Sequence, residues 1–580
     1  MEPELEGVNF FGTDGIRGRV ESIDLPPLEA LRLFRRSAVI TPALIELAVR
    51  AFVKMVSGDG ESHYATGSDG RDAVTGNTFV DAMNRAFSLG GATVSYLGIV
   101  PTPAVPQFQL ENGCLGAAML TASHNPSNQN GIKFFHKGKK LLPEGEIGDR
   151  KLSSIMYELA LQEQTDEQEG TIRTVDVTEN VVRMLERAIP LQITKGMSFL
   201  VDTAAGAWTR FADLFFSRNS IAYRRISEDE KGYNINNHCG VAEIEGHRSF
   251  TRAEIPYSPA IIRALFENPG SYGIVTDGDG DRGMLLCYDR ESDLIRVYDG
   301  DDEAFLILGL MKRDGVRTEG STMICTLESD IMASVSFSEE FGCRSVITDV
   351  GDKWICNGQT DDFLIGFESS GHLIMPIRLD GGETLLSGNG LLTAMLSAAA
   401  FNEGFRSFRP GFSRTFYTYF VNKQLFGKGS DLFVSDADQL EKDLSKALSG
   451  RERLSFSRRL FREPDVLAFQ ISKDSMVVAL IVSRNSGTED KNAVYLKCIP
   501  DLVDILLPVA QNLANRHRQL MRNHELSEAR MSEGILADIR DKGRFTVPED
   551  RRSDVRLISV LHALEREGQI RGDGTEFVSV

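Results

Sequence analysis

Short apolar runs and longer amphipathic stretches alternate along the first part of the chain. The apolar runs at 114–120 and 284–288 predict buried strands, because a strand covered on both faces carries no polar alternation. Residues 44–56 and 79–89 instead carry apolar side chains three or four positions apart, which predicts helices that bury one face. Strands and helices in this alternation predict an α/β fold with mainly parallel sheets.

The pattern also divides the chain into five parts, since 580 residues are too many for one hydrophobic core. The expected parts are, in chain order, 1–190, 191–298, 299–410, 411–505 and 506–580. The first is expected to end in a helix and a linker at 150–190, and residues 502–530 predict another helix and a polar linker. Beyond it, 535–539 and 555–564 have helical spacing and 569–578 predict a β-hairpin, so the last part resembles a winged-helix module.

Composition and charge limit the classes of partner and the cellular location that we expect for the protein. The formal net charge of −19 favours solubility and argues against broad affinity for nucleic acid or a membrane surface. No segment approaches the length of a membrane span, and the acidic N-terminus lacks the regions of a signal peptide. The seven cysteines are scattered and form no C-x-x-C pair, so we expect no disulfide framework, no structural zinc site and a cytoplasmic location.

Two polar side chains lie at or within apolar strands of the first part. Ser123 stands beside a histidine in the turn 121–126, directly after a predicted strand, where open α/β sheets present their chemistry. An ordinary Ser/Asn/Pro turn would show the same residues. Lys133 lies between apolar residues on the next predicted strand. Such a lysine transfers protons if its pKa is depressed, or extends from a sheet edge into solvent if it is not.

Asp277, Asp279 and Asp281 follow a predicted strand at alternate positions, with glycines between them. The glycines allow the backbone to curl so that the three carboxylates face one point, and such hard oxygen ligands suit Mg²⁺. A solvated acidic turn is the alternative. A dinucleotide-binding pattern also overlaps this segment, but its aspartates would repel a pyrophosphate and a strand follows where a helix is required.

Further segments carry residues suited to a phosphorylated sugar. Arg17 is a permanent planar cation in a glycine-rich segment, which suits phosphate. Glu368 and Ser370 point the same way if the chain there is extended, and together they suit two adjacent sugar hydroxyls. Lys353 adds a cation in a predicted loop. A guanidinium, two hydroxyls and open backbone N–H groups, the components of a phosphate site, come from Arg484, Ser486, Gly487 and Thr488.

Taken in order, these segments resemble the α-D-phosphohexomutase family. Its five signatures match residues 11–18, 121–126, 277–282, 368–372 and 484–488, and residues 69–71 and 100–103 match lesser ones. The resemblance covers about residues 8–505. It implies three related α/β domains and a smaller α+β domain around one cleft, with the small C-terminal α+β module as an addition.

The resemblance implies an isomerase that transfers a phosphoryl group between O1 and O6 of a hexose phosphate. Ser123 would carry the phosphoryl group, donate it to the sugar, and recover the other one from a hexose bisphosphate. The implied cofactor is Mg²⁺, held by Ser123, Asp277, Asp279 and Asp281. In-line transfer of this kind requires the neutralisation of charge that a metal ion provides.

The same resemblance implies roles in proton transfer and in substrate binding. Lys133 is the first choice as general acid or base, with His124 and His372 as alternatives. Arg17 and Arg282 would steady the transferring group. Substrate binding would further involve Lys353, Glu368 and Ser370 at the sugar, and Arg484, Ser486, Gly487 and Thr488 at the phosphate that is not being transferred.

Departures from the family pattern leave the substrate open. The chain has extra material near 205–260 and at the C-terminus, and its 367–370 segment does not decide among glucosamine, mannose and glucose. One alternative is a catalytically silent relative that acts as a binding or regulatory protein, with the C-terminal module on a protein partner. Another is a phosphatase that loses the Ser123 phosphoryl group to water. The expected partners of the enzyme are a hexose phosphate and a hexose bisphosphate activator, without membrane or nucleic acid.

Overall fold

The computed structural model divides into two compact units, one of residues 3–410 and one that includes residues 411–580. It describes residues 5–12, 14–58, 62–162, 168–227, 233–419, 426–462, 465–474, 476–485 and 491–548, and near the end residues 557, 560–561, 564–565, 569–572 and 575–579. Within these residues no helix is both long and apolar enough to cross a membrane. All seven cysteines are free, which confirms the absence of disulfides.

A mixed sheet of eight strands forms the first part of the 3–410 unit. The strands are β1 (Ile16–Val20), β2 (Val39–Ile40), β3 (His63–Ser68), β4 (Thr93–Ile99), β5 (Gly116–Leu120), β6 (Gln129–His136), β7 (Lys139–Lys140) and β8 (Thr171–Thr174). Their order is β2-β1-β6-β5-β3-β4-β8, with β7 beside β6. β5, β3, β4 and β8 pair in parallel, whereas β6 runs antiparallel to both β1 and β5.

The helices around this sheet are α1 (Pro27–Ser37), α2 (Pro42–Val56), α3 (Thr78–Ser88), α4 (Ala104–Glu111), α5 (Asp149–Ala160) and α6 (Thr178–Ala188). α2 and α3 confirm the two helices predicted from apolar spacing. α2 begins where the Thr41 hydroxyl accepts the backbone N–H of Leu44 and Pro42 takes the first helical position. The linker predicted within 150–190 is wrong in part, because β8 lies there as an edge strand hydrogen-bonded to β4.

A second sheet follows, with the order β10-β9-β12-β13-β14-β11. Its strands are β9 (Ser198–Asp202), β10 (Ala222–Arg225), β11 (Ser249–Thr251), β12 (Tyr272–Thr276), β13 (Gly283–Asp289) and β14 (Leu294–Tyr298), with α7 (Thr209–Arg218) and α8 (Ala260–Glu267). β12 is parallel to β9 but antiparallel to β13, so the segment between β12 and β13 is a strand-to-strand turn. The predicted strand at 284–288 is confirmed, and with it the absence of the helix that a dinucleotide site requires.

The third sheet has the order β16-β15-β17-β18. The elements are β15 (Thr322–Thr326), β16 (Arg344–Thr348), β17 (Phe363–Phe367), β18 (Leu373–Ile374), the hairpin of β19 (Ile377–Arg378) and β20 (Thr384–Leu385), and helices α9 (Gly300–Arg313), α10 (Ile331–Phe341), α11 (Asp352–Gly358) and α12 (Gly390–Asn402). The loop predicted for Lys353 is wrong: Lys353 lies in the first turn of α11, whose side chains are buried over most of its length.

The second unit contains an antiparallel sheet ordered β21-β25-β24-β23-β22. Its strands are β21 (Phe412–Tyr419), β22 (Leu454–Arg459), β23 (Val466–Lys473), β24 (Met476–Asn485) and β25 (Lys491–Cys498), accompanied by α13 (Asp431–Ala447) and α14 (Val503–Lys542). The polar linker predicted within 502–530 is wrong, since α14, which is 40 residues long, continues through it. Polar residues there do not end the helix because no proline follows Pro508 within it.

The C-terminal residues have a small hydrophobic core of their own. Ile535 and Ile539 of α14 pack with Leu561, Ile570 and Phe577 in it. The predicted hairpin is confirmed by the antiparallel pairing of β27 (Ile570–Gly572) with β28 (Glu576–Ser579), beside which lies β26 (Phe545–Thr546). The winged-helix resemblance and the protein partner of this part stay predictions.

Candidate active site

Ser123 lies just after β5, in a segment of residues 121–128 that we call the nucleophile loop. Its backbone is left-handed, with φ at 53°, a conformation that a residue other than glycine keeps only with support from its surroundings. The side chain is fully buried, and Oγ donates a hydrogen bond to Asp277 Oδ2 at 2.6 Å. The hydroxyl predicted as nucleophile thus touches a carboxylate predicted as metal ligand.

Buried polar groups hold the nucleophile loop against the first sheet. Thr121 Oγ1 accepts the backbone N–H of Ser123 at 2.7 Å and donates to Asp69 Oδ2 at 2.6 Å. Arg71 Nε donates to the same Asp69 oxygen at 2.8 Å. The remaining guanidinium nitrogens donate to backbone carbonyls of the loop, including those of Ser123 and Asn125. Sequence reasoning assigned this Asp–Arg pair no role, although residues 69–71 match a lesser signature of the family.

The turn between β12 and β13, residues 277–282, is called the metal loop below. Its Asp277, Asp279 and Asp281 are buried, and one carboxylate oxygen of each lies within 4.8 Å of the others. Burial, followed by the charges of Asp279 and Asp281, raises the pKa of Asp277 to about 8. Asp279 Oδ1 is buried with no hydrogen-bond partner among the described residues. Three crowded oxygens of this kind fit a hard divalent cation, which would relieve their repulsion.

Lys133 on β6 lies inside this acidic cluster. Its Nζ is 2.7 Å from Asp279 Oδ2, 2.8 Å from Asp281 Oδ2 and 3.0 Å from Asp14 Oδ2. Burial acts to lower the pKa of Lys133, but the three carboxylates outweigh it and raise that pKa above its usual range. Both expectations for its environment are therefore wrong: the pKa is not depressed, and the side chain does not extend into solvent because β6 is flanked by strands on both sides.

A second group that could hold a metal ion consists of Asp281, Asp352 and His372. The protein's own cations already balance this group. Lys140 Nζ lies 2.8 Å from Asp352 Oδ2 and 3.5 Å from Asp281 Oδ2, and His372 Nε2 lies 3.0 Å from Asp281 Oδ1. Among the ion pairs of the described residues none involves Asp277, so the group that contains Asp277 is the better match for an added cation.

Glu368 and His372 form the neighbouring part of the site. Glu368 Oε1 accepts the backbone N–H of Gly351 at 2.8 Å, and Oε2 lies 3.2 Å from His372 Nδ1. Burial acts to lower the pKa of His372, but Asp281, Asp352 and Glu368 raise it to about 10. The extended backbone expected for Glu368 and Ser370 is wrong, because Gly371 donates to the Glu368 carbonyl and closes a turn there. Ser370 is partly exposed on that turn.

His124, Arg17 and Arg282 complete the residues around the nucleophile. The charge of Arg282, then burial and the charge of Arg17, lower the pKa of His124 to about 2, so its imidazole is neutral. Arg17 Nη2 pairs with Asp14 Oδ2 at 2.6 Å and Nη1 donates to the Ala122 carbonyl at 3.4 Å. Arg282 Nη1 lies 3.5 Å from Glu245 Oε2. Two permanent cations therefore lie beside a neutral imidazole.

Of the other predicted substrate residues, Lys353 has an ion-pair partner of its own, Arg484 belongs to the second unit, and three lie outside the described residues. Lys353 Nζ is buried and pairs with Asp149 Oδ2 at 3.2 Å. Arg484 lies near the end of β24 in the second unit. Ser486, Gly487 and Thr488 lie outside the described residues.

Sequence reasoning also missed other polar residues that the fold brings to the site, among them Asp14, Lys140, Asp352 and Asn236. Asp14 could have been found from its place in the glycine-rich segment of Arg17. Lys140, Asp352 and Asn236 carry no local signal, since each acts on residues more than seventy positions away along the chain.

Comparisons with known proteins agree with this arrangement. Residues 8–153 match the family described as phosphoglucomutase/phosphomannomutase, alpha/beta/alpha domain I, and residues 299–409 match domain III of the same family. The crystal structure of a phosphoglucomutase/phosphomannomutase family protein from Burkholderia thailandensis shares the fold, with a TM-score of 0.62 and 17% identity over 89% of this chain and 98% of that one.

Relatives named phosphoglucosamine mutase are similar in sequence as well. The chain is 32% identical to a phosphoglucosamine mutase of Streptomyces griseus over 403 residues, which are 67% of this chain and 78% of that protein. It is 28% identical to a phosphoglucosamine mutase of Corynebacterium diphtheriae over 390 residues, 67% of this chain and 79% of that protein. Similarity of this extent, together with the two matched domains and the shared fold, shows that the chain belongs to the α-D-phosphohexomutase family.

Proposed function

We propose that the protein is a Mg²⁺-dependent phosphohexomutase whose substrate is glucosamine phosphate. The mutase class follows from the family. The observation that supports it best is the 2.6 Å hydrogen bond from Ser123 Oγ to Asp277, which joins the nucleophile loop to the metal loop. Glucosamine is proposed because the similar proteins from Streptomyces griseus and Corynebacterium diphtheriae are phosphoglucosamine mutases; glucose and mannose are the alternatives.

In the proposed reaction Ser123 carries a phosphoryl group. A sugar hydroxyl forms a bond to phosphorus while the bond from phosphorus to Ser123 Oγ breaks, and the hydroxyl proton passes to a base of the site. The product is a hexose bisphosphate, which reorients and returns its other phosphoryl group to Ser123. The net change is transfer between O1 and O6 of one hexose.

The residues of the chain would divide this work as follows. Mg²⁺, held by Ser123, Asp277, Asp279 and Asp281, would supply neutralisation of charge on the transferring group. Arg17 and Arg282 would contact the phosphoryl oxygens, because guanidinium groups match phosphate geometry. Lys133, with His124 and His372 as alternatives, would transfer the hydroxyl proton. A cation bound by Asp279 and Asp281 would offset the carboxylate charges that raise the pKa of Lys133, so burial would then favour the neutral amine that accepts a proton. Glu368 and Ser370 would bind sugar hydroxyls, near Lys353, and the phosphate that stays in place would be bound by Arg484, Ser486, Gly487 and Thr488.

The test is phosphorus NMR of the purified protein with Mg²⁺, a trace of hexose 1,6-bisphosphate and, in separate samples, the 1-phosphates of glucosamine, glucose and mannose. We expect a 6-phosphate signal to grow with glucosamine 1-phosphate and to stop when the metal is chelated. Conversion of glucose 1-phosphate or mannose 1-phosphate without conversion of glucosamine 1-phosphate would contradict the proposed substrate. Free phosphate in place of a 6-phosphate would favour a phosphatase.

A serine variant tests the nucleophile. Ser123→Ala removes the oxygen that accepts the phosphoryl group, so we expect turnover to fall to background and mass spectrometry to show no phosphorylation of the protein. Ser127→Ala is the matched control, because Ser127 lies in the same loop, is partly exposed, and should leave turnover unchanged. Full activity of Ser123→Ala would show that another residue carries the phosphoryl group. A wild-type protein that converts none of these sugar phosphates and carries no phosphoserine would favour the alternative that the chain is a binding protein.

A further inference from the structure

The segment of residues 233–240, which we call the brace, lies between the nucleophile loop and the metal loop. It belongs to the extra material near 205–260 for which the sequence suggested no role. Asn236 of the brace contacts both loops. It follows β10 in the chain and is therefore part of the second sheet's connections, whereas the nucleophile loop belongs to the first sheet.

The contact with the nucleophile loop is made by the side-chain amide of Asn236. Its Nδ2 donates to the backbone carbonyl of Ser123 at 2.7 Å and to that of Asn125 at 2.9 Å. Two carbonyl acceptors require the NH₂ end of the amide at this place, which settles its orientation. Arg71, from the first sheet, donates to the same two carbonyls. Donors from two different sheets therefore bind the same two peptide groups.

The brace is fixed just as firmly on its other side. The backbone N–H of Asn236 donates to the Ala204 carbonyl at 3.0 Å, and the N–H of Gly240 donates to Asp202 Oδ2 at 3.1 Å, both at the end of β9. The metal loop packs against it so closely that a Cβ atom on Gly278 would lie 2.8 Å from Asn236 Nδ2. Asn236 is 7% exposed. One residue thus links the end of β9 through its backbone and the two loops through its side chain.

This position bears on the geometry of transfer. The left-handed Ser123 would relax if its surroundings allowed it, and rotation of its peptide groups would move Oγ away from Asp277. Asn236 resists that rotation by holding the peptide carbonyls on either side of His124. Phosphoryl transfer depends on alignment, and a displacement of about 1 Å costs on the order of 100-fold in rate.

We propose that Asn236 is a positioning residue of the phosphoryl transfer, which holds the Ser123 backbone in register with the metal loop during both half-reactions. This inference rests on the proposed function. A loosened loop would also admit water to the phosphoserine: the water oxygen forms a bond to phosphorus, the bond from phosphorus to Oγ breaks, Oγ takes up a proton, and inorganic phosphate leaves. Asn236 would therefore protect the phosphorylated enzyme as well as align it.

The experiment compares Asn236→Ala and the isosteric Asn236→Asp with the full-length wild type. Turnover of the hexose 1-phosphate and release of inorganic phosphate are measured in the same samples with Mg²⁺ and hexose 1,6-bisphosphate. We expect both variants to lower kcat by about 100-fold with KM unchanged, because Asn236 does not contact the residues expected to bind the sugar. We also expect more phosphate released per turnover and a greater need for the bisphosphate to restore phosphoserine.

The matched control is Asn237→Ala, since Asn237 is the same residue type in the same segment but is exposed. It should behave like the wild type. The inference is overturned if Asn236→Asp keeps the wild-type kcat. It is also overturned if both Asn236 variants lose activity while phosphate released per turnover stays constant and the melting temperature falls, because that combination indicates a structural role alone. A wild type that neither turns over nor carries phosphoserine overturns the proposed function itself.

Discussion

At the scale of single residues, the site is governed by charges that compensate one another in a buried place. Lys133 shows this most clearly. Its neighbours in sequence are apolar and suggest either a depressed pKa or a side chain reaching solvent. The tertiary neighbours Asp14, Asp279 and Asp281 reverse that expectation, because three close carboxylates stabilise the charged ammonium more than burial destabilises it.

Asp277 gives a prediction about pH, because no lysine or histidine pairs with it in the described part of the chain. Its pKa is about 8 in the folded protein and about 4 in an unfolded one. Because the pKa of Asp277 is raised in the folded protein, its contribution to stability is complete below about pH 4 and is lost as the pH rises through about 8. With a metal chelator present, we expect the melting temperature of Asp277→Asn to be a few °C above that of the wild type at about pH 9. At about pH 4 the two melting temperatures should be the same.

Thermal unfolding followed across this pH range checks the expectation. Asp24→Asn is the control, because Asp24 is exposed and its replacement should leave the pH dependence of melting as it is. If the wild type and Asp277→Asn had the same melting temperature throughout, ionisation of Asp277 would not be costly in the folded state.

At the scale of elements, the metal loop is positioned by close contact between backbones. The first residue of α12, Gly390, donates its N–H to the Gly280 carbonyl at 3.0 Å. A Cβ atom on Gly390 would lie 1.8 Å from the Arg282 carbonyl oxygen, and one on Gly283 would lie 2.1 Å from the Gly390 oxygen. Glycine is required at both positions because α12 begins directly against the turn that carries the aspartates.

We therefore expect Gly390→Ala to displace the metal loop and to lower the free energy of unfolding by about 1–3 kcal/mol or more. Its binding of Mg²⁺ should weaken at the same time. Chemical denaturation and calorimetric titration with Mg²⁺ measure the two effects. Gly358→Ala at the end of α11 is the matched control, because its Cβ would have no neighbour nearer than 3.8 Å and should change neither quantity. Unaltered Mg²⁺ affinity in Gly390→Ala would show that α12 does not position the metal loop.

At the scale of the whole 3–410 unit, buried ion pairs connect elements that belong to different sheets. Lys140 on β7 pairs with Asp352 of α11 at 2.8 Å, and it also lies 3.2 Å from Asp14 Oδ1. Lys353 of α11 pairs in turn with Asp149 of α5. The elements of the first and third sheets are therefore joined through charges that surround the acidic site, and the brace adds a link from the second.

Removing one partner of a buried ion pair should lower the free energy of unfolding more than removing both partners. Lys140→Met removes a buried cation from beside Asp14, Asp281 and Asp352, so we expect a loss of about 3–5 kcal/mol in the free energy of unfolding. In Lys140→Met with Asp352→Asn the loss should be smaller, because one unpaired charge is removed together with its partner. Denaturation of the two variants measures this coupling. Lys139→Met, at a partly exposed neighbouring position, should change little, and equal losses in the single and double variants would exclude the coupling.

The sequence by itself determined the α/β class, several strands and helices such as β5, β13, α2 and α3, and the order of the functional segments. These features depend on local patterns: apolar runs set the strands, apolar spacing sets the helices, and Ser123 and the three aspartates follow strands whose ends lie at a sheet's reactive edge. Where local patterns conflicted, as at β8 and in α14, edge pairing and the absence of a proline after Pro508 decided the outcome.

Only the tertiary structure decided which charges meet and what holds Ser123 in place. Lys140 with Asp352, and Asn236 with Ser123, are separated by more than a hundred residues. No periodicity or spacing relates such positions, so their contacts exist only once the sheets have packed together. The pKa of Lys133 depends on the same packing, since burial and opposite charges act on it in opposite directions and only the distances decide which is greater.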